Sequence, residues 1–103
     1  MTLSEIKTLL VTADANIKHY FSKNSGEAYS YWEETQMLPI LSDGRHEEHW
    51  RFYVHRYTKT ENDATAALIF STLDADPRTT VRWIQGGYDT GSGYLHHIFE
   101  CEG

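Results

Sequence analysis

From His49 to Tyr57 the chain alternates with a period of two: Trp50, Phe52 and Val54 on one side, Arg51, Tyr53, His55 and Tyr57 on the other. Successive side chains of an extended chain stand on opposite faces, so this pattern predicts a strand with one fully apolar face. Its second face is polar at the tips and aromatic in body, which suits a partly covered surface better than open water. Any fold must bury the first face and find a use for the second.

The next segment of chain supplies the cover. Thr60 to Asp63 offers a helix cap, and Ala66, Ile69, Phe70 and Leu73 then recur at the spacing of a helix laid on a sheet. Asp74, Asp76 and Pro77 stop it. Val81 to Gln85 predicts another strand, Gly86 to Gly93 a glycine-rich connection, and Tyr94 to Glu102 a strand with Leu95, His97, Phe99 and Cys101 on one side. These last two strands should pair antiparallel.

The first half is less regular. Thr2 followed by Glu5 spells a capping box, and Leu3, Ile6, Leu9, Leu10 and Ala13 give one apolar stripe, so a helix should start at Thr2 and end near Asp14 to Asn16. A short strand at Ile17 to Phe21, a turn at Asn24 to Gly26 and a longer strand from Ala28 to Glu33 come next. Met37 to Leu41 holds Pro39, which cannot donate to a ladder, and is expected to be an edge segment or extended loop before a turn at Ser42, Asp43 and Gly44. The expected architecture is a single α+β domain over residues 1–103, with a mainly antiparallel sheet of four to five strands and two helices packed on one face.

A chain of 103 residues buries only about 60 to 65% of its unfolded surface, so the core will be modest. No apolar run approaches the roughly 20 residues of a membrane span, and Glu5 and Lys7 interrupt any leader-like start, so no membrane partner and no signal peptide are expected. Cys101 is the only cysteine, which excludes an internal disulfide and suits a reducing, cytoplasmic setting. The formal charge of −6 and the scattered basic residues argue against specific nucleic-acid binding, whose affinity comes from clustered Lys and Arg.

Catalytic and metal motifs are incomplete. Asp89, Thr90, Gly91 and Ser92 match the aspartic-protease signature, but only eleven residues come after Ser92, too few for the rest of such a half-site, and a hairpin turn is the better account. His46 and His49 are three apart, not four as on a zinc-binding helix, and in extended chain they diverge. His49 and His55 share a face but lie roughly 20 Å apart at ~3.3 Å per residue. His96 and His97 diverge, and His97 with Cys101 would need a further ligand. Cys101 has no basic neighbour or helix start to activate it. Gly86 to Gly93 lacks the following helix that a phosphate cradle requires. Glu33 with Glu34, and Glu47 with Glu48, point apart and are expected on solvated faces. No catalytic residue, metal ligand or cofactor site is assigned.

Fourteen Phe, Tyr and Trp are a surplus for one sheet face and two helices to hide. Tyr and Trp are enriched in partner contacts, so Tyr29, Tyr31, Arg51, Tyr53, His55, Tyr57, Tyr88 and Tyr94 are the candidate oligomer or partner interface.

The run from Trp50 to Leu73, then Tyr88, Asp89, Thr90, Gly91, Ser92, Gly93 and Tyr94 leading into His96 to Glu100, resembles the small tail-completion or tail-terminator proteins of long-tailed bacteriophages. The opening helix and the aromatic strand at Tyr29 to Trp32 agree with that layout, whereas Met37 to Glu48 has no matched length. The resemblance implies a non-enzymatic phage or prophage structural protein that forms a homomeric ring, expected to be a hexamer, at the head-proximal end of the tail tube. Its partners would be tail-tube and head-neck proteins, and its location the host cytoplasm during assembly and then the virion tail. Two other readings stand beside it. One is a peptide- or ligand-binding module with a pocket between the sheet and Gly86 to Gly93; the other is a metal-dependent enzyme using His46, His49, His55 or His97.

Overall fold

The computed structural model describes residues 1–20, 27–38, 40–42 and 45–103, with the backbone alone described at 40–42 and 45–47. The first helix, α1 (Leu3–Ala13), begins at the capping box: the Glu5 amide donates to Thr2 Oγ1 at 3.1 Å and the Thr2 amide donates to Glu5 Oε1 at 2.9 Å. Two amides that a helix start leaves unpaired are thereby satisfied. Ile6, Leu10 and Ala13 form its buried stripe. The second helix, α2 (Ala64–Ala75), is capped by Asp63, whose Oδ2 accepts from the Ala66 amide at 3.0 Å. Ala66, Ile69 and Leu73 are its buried residues, with Phe70 packed at the margin.

Between the helices run β1 (Lys18–His19), β2 (Tyr29–Met37), β3 (Ile40–Ser42), β4 (Arg45–Glu47) and β5 (Trp50–Thr58); β6 (Thr80–Asp89) and β7 (Tyr94–Glu102) complete the chain. The main sheet has the order β1-β2-β5-β7-β6, antiparallel except for the parallel β1/β2 pair, while β3 and β4 form a separate two-stranded ladder. The fold is α+β.

Cross-strand register builds the core in rows. Trp32, Val54, Phe99 and Trp83 lie directly across from one another on β2, β5, β7 and β6, and Phe52, Cys101 and Val81 make the next row. Trp32, Phe52, Val54, Phe99 and Cys101 join the buried residues of both helices in a single cluster. Each large apolar side chain so buried is stabilised by about 1.5–3 kcal/mol.

The third row of that face, Ser30, Arg56 and His97, is polar. Arg56 is only 8% exposed and is neutralised from two directions. Its Nε donates to Asp63 Oδ2 at 2.9 Å, and its Nη1 lies 3.7 Å from Asp14 Oδ2 and donates to Ser30 at 3.2 Å. The guanidinium thus ties the start of α2 to the end of α1. Charge this deeply placed is tolerated only with partners.

Several sequence expectations shift in detail. The strand expected at Ile17 to Phe21 is two residues long, and Phe21 lies outside the described residues, as do the turn at Asn24 to Gly26, Pro39, Asp43 and Gly44. The strand expected at Ala28 to Glu33 extends to Met37, because pairing with β5 continues to Met37 and Trp50 across an irregularity between Glu34 and Gln36. Ile40 and Leu41, expected as an edge segment or extended loop, lie in β3, one edge of the two-stranded ladder, and Ser42, expected in a turn, is the last residue of that strand because it pairs with Arg45. Gly86 to Asp89, expected within the connection, continue β6 instead, since pairing with β7 resumes beyond a bulge between Gln85 and Gly87. Gly87 takes φ +93 there, a conformation a side chain would strain.

The aromatic face of the sheet as a candidate interaction site

Alternation along β2, β5 and β7 leaves a second set of side chains on the face away from the core cluster. Register places Tyr29, Tyr57 and His96 in one row, Tyr31, His55, Ile98 and Ile84 in the next, and Glu33, Tyr53, Glu100 and Arg82 in a third. The rings are stacked rather than scattered. Tyr31 lies on His55 with centroids 4.5 Å apart, Tyr57 on His96 at 4.1 Å and Tyr29 on Tyr57 at 4.8 Å. Stacked neighbours share their burial, and all five rings are half-buried.

Hydrogen bonds run through the middle of the stack. His55 Nε2 lies 3.2 Å from Glu33 Oε1, and His55 Nδ1 lies 3.0 Å from His96 Nε2. The partners fix the protons: a carboxylate accepts from His55 Nε2–H, so neutral His55 offers Nδ1 as acceptor to His96 Nε2–H. Glu33 is 39% exposed and His55 13%, so the chain of bonds leads from solvent into the layer. Burial, then the neighbouring His55 and His97, push His96 down to about 4. Burial, with the Tyr31 hydroxyl and Glu33 nearby, pushes Tyr57 up to about 12. The stacked Tyr57 and His96 rings are therefore both uncharged near neutral pH, and Tyr57 is a weak acid.

Of the eight interface candidates, the structure gathers Tyr29, Tyr31, Tyr53, His55 and Tyr57 on this face, with Arg51 at its rim. Arg51 Nη2 pairs with Glu102 Oε1 at 2.8 Å. Tyr94 lies at the end of the same face but is buried there: it is 4% exposed, donates from its hydroxyl to the Glu27 carbonyl at 2.9 Å, and meets Tyr29 and Tyr57 edge-on. Tyr88 is 60% exposed but stands across from Leu95, on the opposite side of the sheet.

Sequence reasoning misses Glu33 and His96 as members of this site. Alternation can place each on a face, but only the pairing of β2 with β5 and of β5 with β7 brings them against His55. The expectation that Glu34 is solvated is corrected. Its side chain is 12% exposed, held by His19 Nε2 at 2.6 Å and by the Tyr20 hydroxyl, because β1 closes over that edge.

The remaining motifs are used structurally. Asp89 accepts from the Gly91 amide at 3.0 Å and from Ser92 Oγ at 2.8 Å, so the protease-like tetrad is spent on an Asx turn. His97 separates from His96 as expected, and its Nδ1 accepts from Trp83 Nε1 at 3.1 Å. Cys101 is buried, and burial pushes its thiol up, away from reactivity. Among the described residues, no group of three or more His, Cys, Asp or Glu is placed to hold a metal ion, and no helix is long and apolar enough to cross a membrane. A pocket of about 220 Å³ lies between the start of α2 and β6/β7, lined by Asn62, Asp63, Ala67, Trp83, Gln85 and His97. No protein-family model matches the chain, and no curated protein matches it.

Proposed function

We propose that this chain is a non-catalytic assembly subunit, a phage or prophage structural protein like the tail-terminator and tail-completion proteins it resembles, which closes into a homomeric ring. The observation that carries the reading is the half-buried aromatic face, where Tyr29 and Tyr31 stack with Tyr57 and Tyr53 lies tilted beside His55, while buried residues of both helices belong to the core cluster. Tyr-rich surface of this kind forms the anchors of protein interfaces. Two further features fit. The β3/β4 ladder is separate from the main sheet, and an isolated two-stranded ladder is marginal in water, so a neighbouring subunit would stabilise it. The edge strand β6 is ten residues long, and such an edge is a template for pairing. Contacts between unlike surfaces of identical copies generate rings when the rotation closes. Tail-tube and head-neck proteins are the proposed partners.

Sizing chromatography with light scattering tests the proposal. Ring-sized species, alone or only with tube protein, are expected across micromolar to millimolar concentration. A strict monomer under every condition would overturn it.

A small-ligand module is the second reading, favoured by the Trp83/His97 pocket. That pocket does not lie at Gly86 to Gly93, where the sequence placed it, and about 220 Å³ is below the usual range for sites that enclose a drug-sized molecule.

A further inference from the structure

The hydrogen bonds among Glu33, His55 and His96 can be satisfied in only one protonation pattern when both imidazoles are neutral. Glu33 accepts from His55 Nε2–H at 3.2 Å, and His55 Nδ1 accepts from His96 Nε2–H at 3.0 Å. The last acceptor, His96 Nδ1, faces the backbone of β6, where a Cβ built on Gly86 would come within 3.0 Å of it. One relay thus joins β2, β5 and β7 and ends against β6.

A further proton has two places to go, and each disturbs the arrangement. On His55 Nδ1 it would point one N–H at another across 3.0 Å, breaking the bond between the rings. On His96 Nδ1 it would place a cation in a half-buried ring pressed against Gly86 and stacked on Tyr57. The stacks Tyr31/His55 and Tyr57/His96 are aligned by the same bonds, so they move with them.

We propose that Glu33, His55 and His96 form a proton-operated latch that holds the aromatic face ordered when both imidazoles are neutral and releases it when the pair takes up one more proton. The groups around the pair act on the added proton in both directions. Tyr31 and Glu33 face the pair from β2, Tyr53 and Tyr57 from β5, Tyr94 and Glu100 from β7 and Arg82 from β6, with His97 behind the sheet and the Arg51/Glu102 pair one row further along. Glu33 and Glu100 favour a cation; Arg82, His97 and the limited exposure oppose it. The ends of the range differ in a bond made or broken, the requirement for a switch. The latch lies within one chain, so it stands or falls independently of the ring.

Imidazole nitrogen NMR combined with near-ultraviolet circular dichroism, recorded from pH 8 to pH 4, tests it. At pH 7 the expected spectra show both rings neutral, with protons on Nε2 of His55 and Nε2 of His96. On acidification, uptake of a proton by the pair and loss of the tyrosine dichroism should share one midpoint below about pH 6. His96→Gln keeps an amide donor toward His55 without titrating, and it should lose the dichroism change across that window. Independent titration of the two rings near the ordinary value with unchanged dichroism would overturn the proposal, as would an undiminished transition in folded H96Q. Should H96Q not fold, the wild-type midpoints decide alone.

Discussion

Arg56 shows how one side chain can fix the relation of three elements. It is a buried cation with two carboxylates and a hydroxyl around it, from α1's end, α2's cap and β2. Burial pushes the Asp63 carboxyl up, but the Arg56 hydrogen bonds and the Ala66 amide outweigh that and hold it below its usual range. Removing the guanidinium leaves Asp63 and Asp14 facing each other's charge in a dry site. Arg56→Ala is therefore expected to cost about 3–5 kcal/mol, read as a fall in urea midpoint. His96 gives a pH dependence of definite sign. Its folded value is depressed from 6.5 to about 4, so between those values the unfolded chain binds more protons than the folded one. Stability from this residue is complete above pH 6.5 and is lost as pH falls toward 4. Allowing for partial exposure of the ring, the loss is on the order of 1–2 kcal/mol, and it should be absent from H96Q in thermal melts over that window.

At the scale of elements, both helix starts are legible because caps are local chemistry. Thr2 and Glu5 are three residues apart wherever the chain goes, and the two reciprocal bonds form as soon as one turn does. Thr2→Ala should cost about 1 kcal/mol in chemical denaturation and leave the far-ultraviolet spectrum of the folded state unchanged. The end of β6 is not legible, since two consecutive glycines read as a loop until a partner strand is known. β7 supplies that partner, Gly87 absorbs the bulge, and Gly86 leaves room for the His96 ring. Gly86→Ala would push a methyl to 3.0 Å from His96 Nδ1, so it should destabilise by about 1–3 kcal/mol and shift the His96 resonances. Met37 to Leu41 read as an edge segment or extended loop, and Ser42 as part of a turn, for a related reason. A ladder with Arg45 to Glu47 is a pairing, not a propensity.

For the whole molecule, the two faces of the sheet part company. One carries side chains that cluster with the buried residues of both helices; the other carries aromatic and imidazole rings stacked on their own neighbours. Tyr53 is the ring least committed to the stack, tilted at 6.5 Å from His55. If the face docks against other subunits, Tyr53→Lys should weaken association by tenfold or more in sedimentation equilibrium, about 1.4 kcal/mol, while the urea midpoint of the isolated chain stays close to wild type.

The chain alone determined its α+β class, its two helices with their caps, the alternation of β5 and β7, and which of each pair of adjacent residues would separate, as His96 and His97 do. Those features depend on neighbours within about one turn or two strand positions, a range in which sequence order is spatial order. Only the tertiary structure decided that Glu33 and His96 meet at His55, that Arg56 binds Asp14 and Asp63, and that Tyr94 is buried against Tyr29 and Tyr57 while Tyr88 leaves the aromatic face. Each depends on the register of strands far apart in sequence. A shift of one residue in the pairing of β5 with β2 or β7 would exchange the faces of the shifted strand and part His55 from Glu33 or His96.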